Sequence, residues 1–244
     1  TPKVVRYADA AAVALGAATA IADLAARAIS SRGRFVMALS GGGTPELLYR
    51  TLAATPFSTI IDWSRVHVCW CDERPVPPDH PKSNYRMAAE ALLDRVPIPP
   101  SQVYRIRGEI DAETAAAEYL RTLRRVLPHR RLDLVLLGLG KDGHTASLFP
   151  GTRSVEQATA GSTEWVAAPW VPSLETRRVT MMPALLNSAD TVFFLVTGAG
   201  KAGILERILG GTETGLPAQL IRPTHGTLTW LIDAAAATHA GDQV

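Results

Sequence analysis

Two nearly unbroken apolar runs, Leu132-Asp133-Leu134-Val135-Leu136-Leu137 and Val192-Phe193-Phe194-Leu195-Val196, constrain this chain more than any other feature. Apolar residues without alternation over one strand length are what a central strand covered on both faces requires. Around them, short β-rich runs alternate with Ala- and Leu-rich segments, the pattern of parallel βα units with helices on both sides of a sheet. The expected class is α/β: three layers, α/β/α, with a mostly parallel central sheet of Rossmann-like form. Strands are expected at 34–39, 66–71, 132–138, 165–168, 178–181, 191–197 and 227–232. Helices are expected at 8–30, 45–54, 85–95, 111–127 and 201–209, with a short Ala-rich one near the C-terminus. Thr44 should cap the helix that opens at Pro45, since Thr suits that place and Pro the first turn. Proline loops at 75–81 and 97–100 and the polar stretch 153–164 are too short for a flexible linker, and no internal repeat occurs, so residues 1–244 read as a single domain.

A chain of 244 residues, 47% hydrophobic and 20% charged, can bury a sizeable core. At this size about 70–75% of the unfolded surface disappears on folding, enough for stability without disulfides or structural metal. Lys+Arg 25 against Asp+Glu 23 gives +2, too small an imbalance to create a field for nucleic acid, so no nucleic-acid partner is expected. Cys69 and Cys71 stand two apart in a strand, too far for a relaxed disulfide, and have no partners for a zinc site. They read as reduced core residues of a cytoplasmic protein. The most apolar stretch, 9–29, is broken by Asp23 and Arg27 and lacks a basic leader and a cleavage pattern, so it reads as a helix of the fold, with no membrane partner. A monomer is expected.

Three glycine clusters follow expected strands: Ser40-Gly41-Gly42-Gly43-Thr44-Pro45, Gly138-Leu139-Gly140-Lys141-Asp142-Gly143 and Gly198-Ala199-Gly200-Lys201-Ala202-Gly203. In open α/β sheets ligands bind at the carboxyl ends of strands, where glycines let backbone amides approach an anion. The last two clusters match G-x-G-x-x-G literally, yet neither keeps a dinucleotide context. Pro150-Gly151 stops a long helix after the second, and Lys201 sits inside the third. A Walker A loop is absent because Ala202 follows Lys201. What fits is a phosphate cradle made of the Ser40 and Thr44 hydroxyls, the amides of Gly41, Gly42 and Gly43, a helix N-terminus and Lys201. The ligand class is a sugar phosphate or similar monoester. Tight turns alone would also use glycine, but three such loops on one edge point to a ligand.

Of the six histidines, His144 lies just past the most buried expected strand, with Asp142 two residues before it to orient the ring. A neutral imidazole there can take a proton from water and return it to a leaving oxygen. Asp72-Glu73-Arg74 ends another strand on the same edge and reads either as part of the site or as a salt-bridged loop. No G-x-S-x-G elbow occurs and neither cysteine has a nucleophile's partners, which leaves water as the nucleophile.

Together these motifs identify the chain as resembling the 6-phosphogluconolactonase family, in the larger group that also holds glucosamine-6-phosphate deaminases. The residues that carry the likeness are Ser40–Pro45, Asp72-Glu73-Arg74 with Ser83-Asn84, Gly138–Gly151, Arg178-Val179-Thr180 and Thr197–Lys201, in order along nearly the whole chain. The resemblance implies hydrolysis of 6-phospho-D-glucono-1,5-lactone to 6-phosphogluconate in the oxidative pentose phosphate pathway, with no metal and no organic cofactor. It implies His144 as base, Asp142 beside it and Arg74 at the developing oxyanion. Ser40, Gly41, Gly42, Gly43, Thr44, Arg178 and Lys201 are implied to hold the 6-phosphate. The deaminase branch continues its histidine loop with Asn-Glu-Pro, where this chain has Leu148-Phe149-Pro150, and this favours the lactonase. Gly43 stands where relatives often carry serine. The alternatives are an isomerase/deaminase acting on an amino-sugar phosphate and a silent sugar-phosphate-binding regulator.

Overall fold

A computed structural model describes residues 2–129, 131–211 and 215–237. Along the chain run β1 (Lys3–Tyr7), α1 (Ala10–Arg32), β2 (Phe35–Leu39), α2 (Gly43–Leu52), α3 (Phe57–Ile60), β3 (Val66–Trp70), β4 (Asp72–Glu73), α4 (Asn84–Ala91), β5 (Val103–Tyr104) and α5 (Ala112–Val126). There follow β6 (Leu134–Leu137), α6 (Arg153–Thr159), β7 (Val166–Ala167), β8 (Trp170–Val171), β9 (Thr176–Arg177), β10 (Val179–Met181), α7 (Pro183–Leu186), β11 (Thr191–Val196), α8 (Ala202–Leu209) and β12 (Thr227–Asp233). Seven strands form the main sheet in the order β1-β12-β11-β6-β2-β3-β5, every pairing parallel. The two apolar runs lie at its middle, as expected. Every residue of β2, β6 and β11 is buried, which requires cover on both faces of the sheet.

Helix α1 shows why this cover forms. It is capped by the Asp9 carboxylate on the Ala12 amide at 2.8 Å and closed by Gly33 in the left-handed region. Val13, Ala14, Ala17, Ala18, Ile21, Ala25 and Ala28 recur at helical spacing and are buried against α2, β2 and β12. Alanine on that face lets the helix lie close to its neighbours. By length and composition alone this helix is long and apolar enough to cross a membrane, although Asp23 and Arg27 interrupt it.

Several expectations are corrected. The edge strand β1 lies outside the expected strands; Lys3 and Arg6 are exposed, Val4, Val5 and Tyr7 are half-buried against the core, and the segment gains strand form by pairing with β12. Helix α2 opens at Gly43 with Gly42 at the cap position, so Thr44 lies inside the helix and caps nothing. Segments 165–168 and 178–181 do not join the main sheet. There β10 pairs antiparallel with β4 and β7 in a small sheet of its own, because the chain doubles back over the carboxyl edge. The expected helix 85–95 stops at Ala91 and tightens into a single turn over Leu93–Arg95. Ala234–Ala237 form turns, and the remainder of the expected C-terminal helix lies outside the described residues. Both cysteines are free and buried; burial pushes the Cys69 thiol up to about 12 and the Cys71 thiol higher still, so neither supplies a thiolate.

Candidate active site

The carboxyl ends of β2, β3, β6 and β11 surround a cleft of about 280 Å³. Buried side chains hold the backbone there. The Tyr49 hydroxyl donates to the Ser40 carbonyl at 2.8 Å and accepts from the Ser40 amide at 3.0 Å, satisfying both groups where β2 leaves the sheet. Tyr119 does the same for Trp70 at the end of β3, with 2.8 Å in each direction. The Asp233 carboxylate accepts the Gly198 amide at 3.0 Å and secures the loop after β11. Buried backbone groups cannot be left unpaired, so these three residues determine where the loops start.

The first glycine loop turns at once into α2. Gly42 has φ 110, a conformation a side chain would strain, and the first turn of α2, whose amides have no partner within the helix, lines the cleft. Gly41, Gly43 and Thr44 line the same wall. The Thr44 hydroxyl meets that of Thr197 at 2.7 Å, joining the first loop to the end of β11. Ser40 behaves otherwise: its hydroxyl, which the sequence offers to phosphate, donates to the Leu136 carbonyl at 2.7 Å and is turned into the sheet. Its donated proton is thus spent on the sheet, while the residue itself still lines the cleft.

The loop after β6 folds on itself. The Gly140 amide donates to the His144 carbonyl at 2.8 Å and the Gly143 amide to the Gly140 carbonyl at 3.1 Å, while Thr145 Oγ1 donates to the Gly138 carbonyl at 2.8 Å. Ala146 follows at φ 47, a left-handed conformation that costs a non-glycine residue about 1–2 kcal/mol. Gly140 has to lack a side chain, since a Cβ there would collide with His144 Nδ1 and Asp142 Oδ1. The ring of His144 is thus pressed over a glycine, stacked on Phe149 with centroids 4.2 Å apart, and bonded through Nδ1 to Asp142 Oδ1 at 2.5 Å.

Burial tends to raise the Asp142 carboxyl, but the charge and hydrogen bonds of His144 outweigh it and hold it below the usual range. An ionised Asp142 can only accept, so Nδ1 carries the proton of that bond, and the tautomer it selects for a neutral ring has its lone pair on Nε2. No hydrogen bond to Nε2 forms among the described residues, on a ring that lines the cleft.

Cations gather on the same edge. Lys201 reaches the cleft with Nζ donating to the Leu139 carbonyl at 2.6 Å; burial and then the charge of Lys141 lower its pKa. Arg74 lines the opposite wall and donates to the Lys82 carbonyl. Arg178 is not among the lining residues; it is half-buried beside Arg74, and burial followed by the Arg74 charge lowers its pKa. Asp72 and Thr197, which the sequence offers only inside longer motifs and without a role of their own, also line the cleft. Asp72 is buried, accepting from Ser147 Oγ at 2.7 Å and from the Asn84 side-chain amide at 3.3 Å, and Thr197 bonds Thr44. Their signals, an acid at a strand end and a hydroxyl beside a glycine loop, are too common to single out either one. Glu73 instead turns away from the cleft. It accepts the Asn84 and Tyr85 amides at 2.8 Å and the Ser83 hydroxyl at 3.0 Å, anchoring the start of α4.

Fold and cleft define the class: a doubly wound α/β protein whose site lies at the carboxyl edge of a parallel sheet. Comparison with known proteins narrows it. Residues 8–230 match the model of the glucosamine-6-phosphate isomerases/6-phosphogluconolactonase family, and the chain belongs to that family of enzymes. It is 41% identical over 232 residues to the 6-phosphogluconolactonase of Rattus norvegicus, covering 91% of this chain and 88% of the relative. The 6-phosphogluconolactonase of Haemophilus influenzae is 36% identical over 202 residues, covering 82% and 85%. Among solved structures, the 6-phosphogluconolactonase of Trypanosoma brucei superposes with a TM-score of 0.87 at 28% identity, covering 97% of this chain and 98% of that one. A monomeric glucosamine-6-phosphate deaminase, at 24% identity and TM-score 0.78, shares the fold.

Proposed function

We propose that the protein hydrolyses 6-phospho-D-glucono-1,5-lactone to 6-phosphogluconate, with His144 as general base. The observation that carries this reading is the His144 ring itself: fixed by Asp142, stacked on Phe149, and left with a free Nε2 in the cleft that the glycine loop and Lys201 also line. Nε2 takes a proton from water as the water oxygen bonds to C1, and charge builds on the carbonyl oxygen, where Arg74 neutralises it. The C1–O5 bond then breaks, and the proton held on Nε2 passes to the departing ring oxygen. A δ-lactone is an activated ester, so one positioned base and one cation suffice.

The 6-phosphate would lie against the amides of Gly41, Gly42 and Gly43, with Thr44 and Lys201. The Thr44–Thr197 pair has one proton left over after its mutual bond, and that proton is available to the phosphate. Arg178 contributes from behind Arg74 by charge. The names of the relatives support the lactone over an amino-sugar substrate, as does Phe149, which packs the histidine in the loop where the deaminase branch carries a glutamate. Two buried thiols fit a cytoplasmic setting. The test is a coupled assay on freshly generated 6-phosphogluconolactone, corrected for spontaneous hydrolysis, beside an ammonia assay on glucosamine 6-phosphate. Turnover of the first without ammonia from the second is expected; ammonia release would move the chain to the deaminase branch, and binding without turnover would make it a regulator.

A further inference from the structure

Lys141 has no part in the mechanism above, yet its side chain runs back over the third glycine loop. Its Cε and Nζ lie 3.5 and 3.8 Å from where a Cβ on Gly200 would stand, and no other group outside that stretch of chain comes within 4 Å of the point. The lysine stem therefore lies against the loop at Gly200, at a distance that even a Cβ there would meet as ordinary van der Waals contact. Lys201 follows directly, its Nζ pinned to Leu139, two residues before Lys141. Two separate loops therefore bring two ammonium groups near enough for the charge of Lys141 to act on Lys201, with Lys201 lining the cleft and Lys141 outside that lining. Neither forms an ion pair among the described residues, because the carboxylate at hand, Asp142, is engaged by His144. Like charges side by side repel, and an anion shared between them turns the repulsion into attraction.

We propose that Lys141 is a second phosphate-gripping residue, which closes with Lys201 on the substrate's phosphate and sets the preference for phosphorylated over plain lactone. This rests on the lactonase reading for its substrate. A phosphate monoester carries about −1.5 to −2 at neutral pH, a charge that one ammonium cannot neutralise and two can. Lysine suits the task as a mobile point charge, and its exposed position makes the contribution sensitive to salt.

The experiment measures KM and kcat of wild type, Lys141→Gln and Lys141→Arg on 6-phosphogluconolactone and on gluconolactone, at low salt and at about 1 M, where screening acts over ~3 Å. Lys141→Gln should raise KM for the phosphorylated lactone about three- to tenfold at low salt, the worth of a partly screened charge-assisted contact. Turnover number and the plain lactone should be unaffected, the difference should vanish at high salt, and arginine should restore most of the loss. An unchanged KM, or equal losses on both lactones, overturns the proposal. Should wild type fail to hydrolyse the phosphorylated lactone, the functional reading falls. Calorimetry with inorganic phosphate still tests the clamp, which is overturned if wild type and Lys141→Gln bind it equally.

Discussion

The two edges of the main sheet handle charge in opposite ways. At the amino edge charges face one another. Arg32 pairs with the buried Asp133, Asp133 also accepts the Val36 amide at 2.6 Å, and Arg131 meets Asp190 at 2.7 Å. At the carboxyl edge Arg74 is near Arg178 and Lys141 near Lys201, and among the described residues none of the four has an ion-pair partner. Carboxylates are present there too, but they are occupied: Asp142 orients His144, Glu73 anchors α4, and Asp72 takes neutral donors. Charges paired with each other serve the fold, whereas cations held apart from carboxylates are available to a ligand.

Substitutions on the two edges should therefore separate activity from stability. The largest effect is expected at His144. His144→Ala should lower kcat about 10²–10⁴-fold, the usual worth of a positioned base, with melting temperature and affinity for 6-phosphogluconate preserved. Retained turnover in that variant, after correction for spontaneous hydrolysis, would remove His144 from the mechanism.

The next effect belongs to the amino edge. Asp133→Ala leaves the buried Val36 amide without its acceptor and Arg32 without its main partner, and should cost about 2–4 kcal/mol in denaturant unfolding. Its kinetic constants should match wild type; a change in KM would mean that the two edges are coupled. Lys201→Ala is the converse. KM for the phosphorylated lactone should rise about 10- to 100-fold, while stability holds or improves, since a half-buried cation beside another cation has been removed. Unchanged discrimination between phosphorylated and plain lactone would return Lys201 to an ordinary loop residue. Smallest is Arg131→Ala, an exposed pair worth about 0.5 kcal/mol and lost in salt. A larger loss would show that the amino-edge charges act as one network.

Much of this was legible before any coordinates. Strand and helix alternate because apolar period is a local property, and β6 and β11 are placed at the centre by apolar runs of six and five residues. The glycine loops, Lys201 and the Asp142–His144 pair are also local: a turn that needs glycine, or a ring two residues from its carboxylate, is written in consecutive residues.

Long-range packing decided the rest. Tyr49 and Tyr119 read as ordinary helix residues until β2 and β3 end against their hydroxyls. Ser40 reads as a phosphate donor until the Leu136 carbonyl arrives from another strand, and Thr44 reads as a cap until Gly42 takes that place and Thr197 claims its hydroxyl. Strands β7 and β10 follow the same residue preferences as the main sheet, and only the doubling back of the chain puts them in another. Spacing along the chain determines what a residue can do locally. Which donor meets which acceptor, from 9 residues apart for Ser40 and Tyr49 to 153 for Thr44 and Thr197, is determined by how the helices and sheet pack, because each buried polar group must find its partner in that one arrangement.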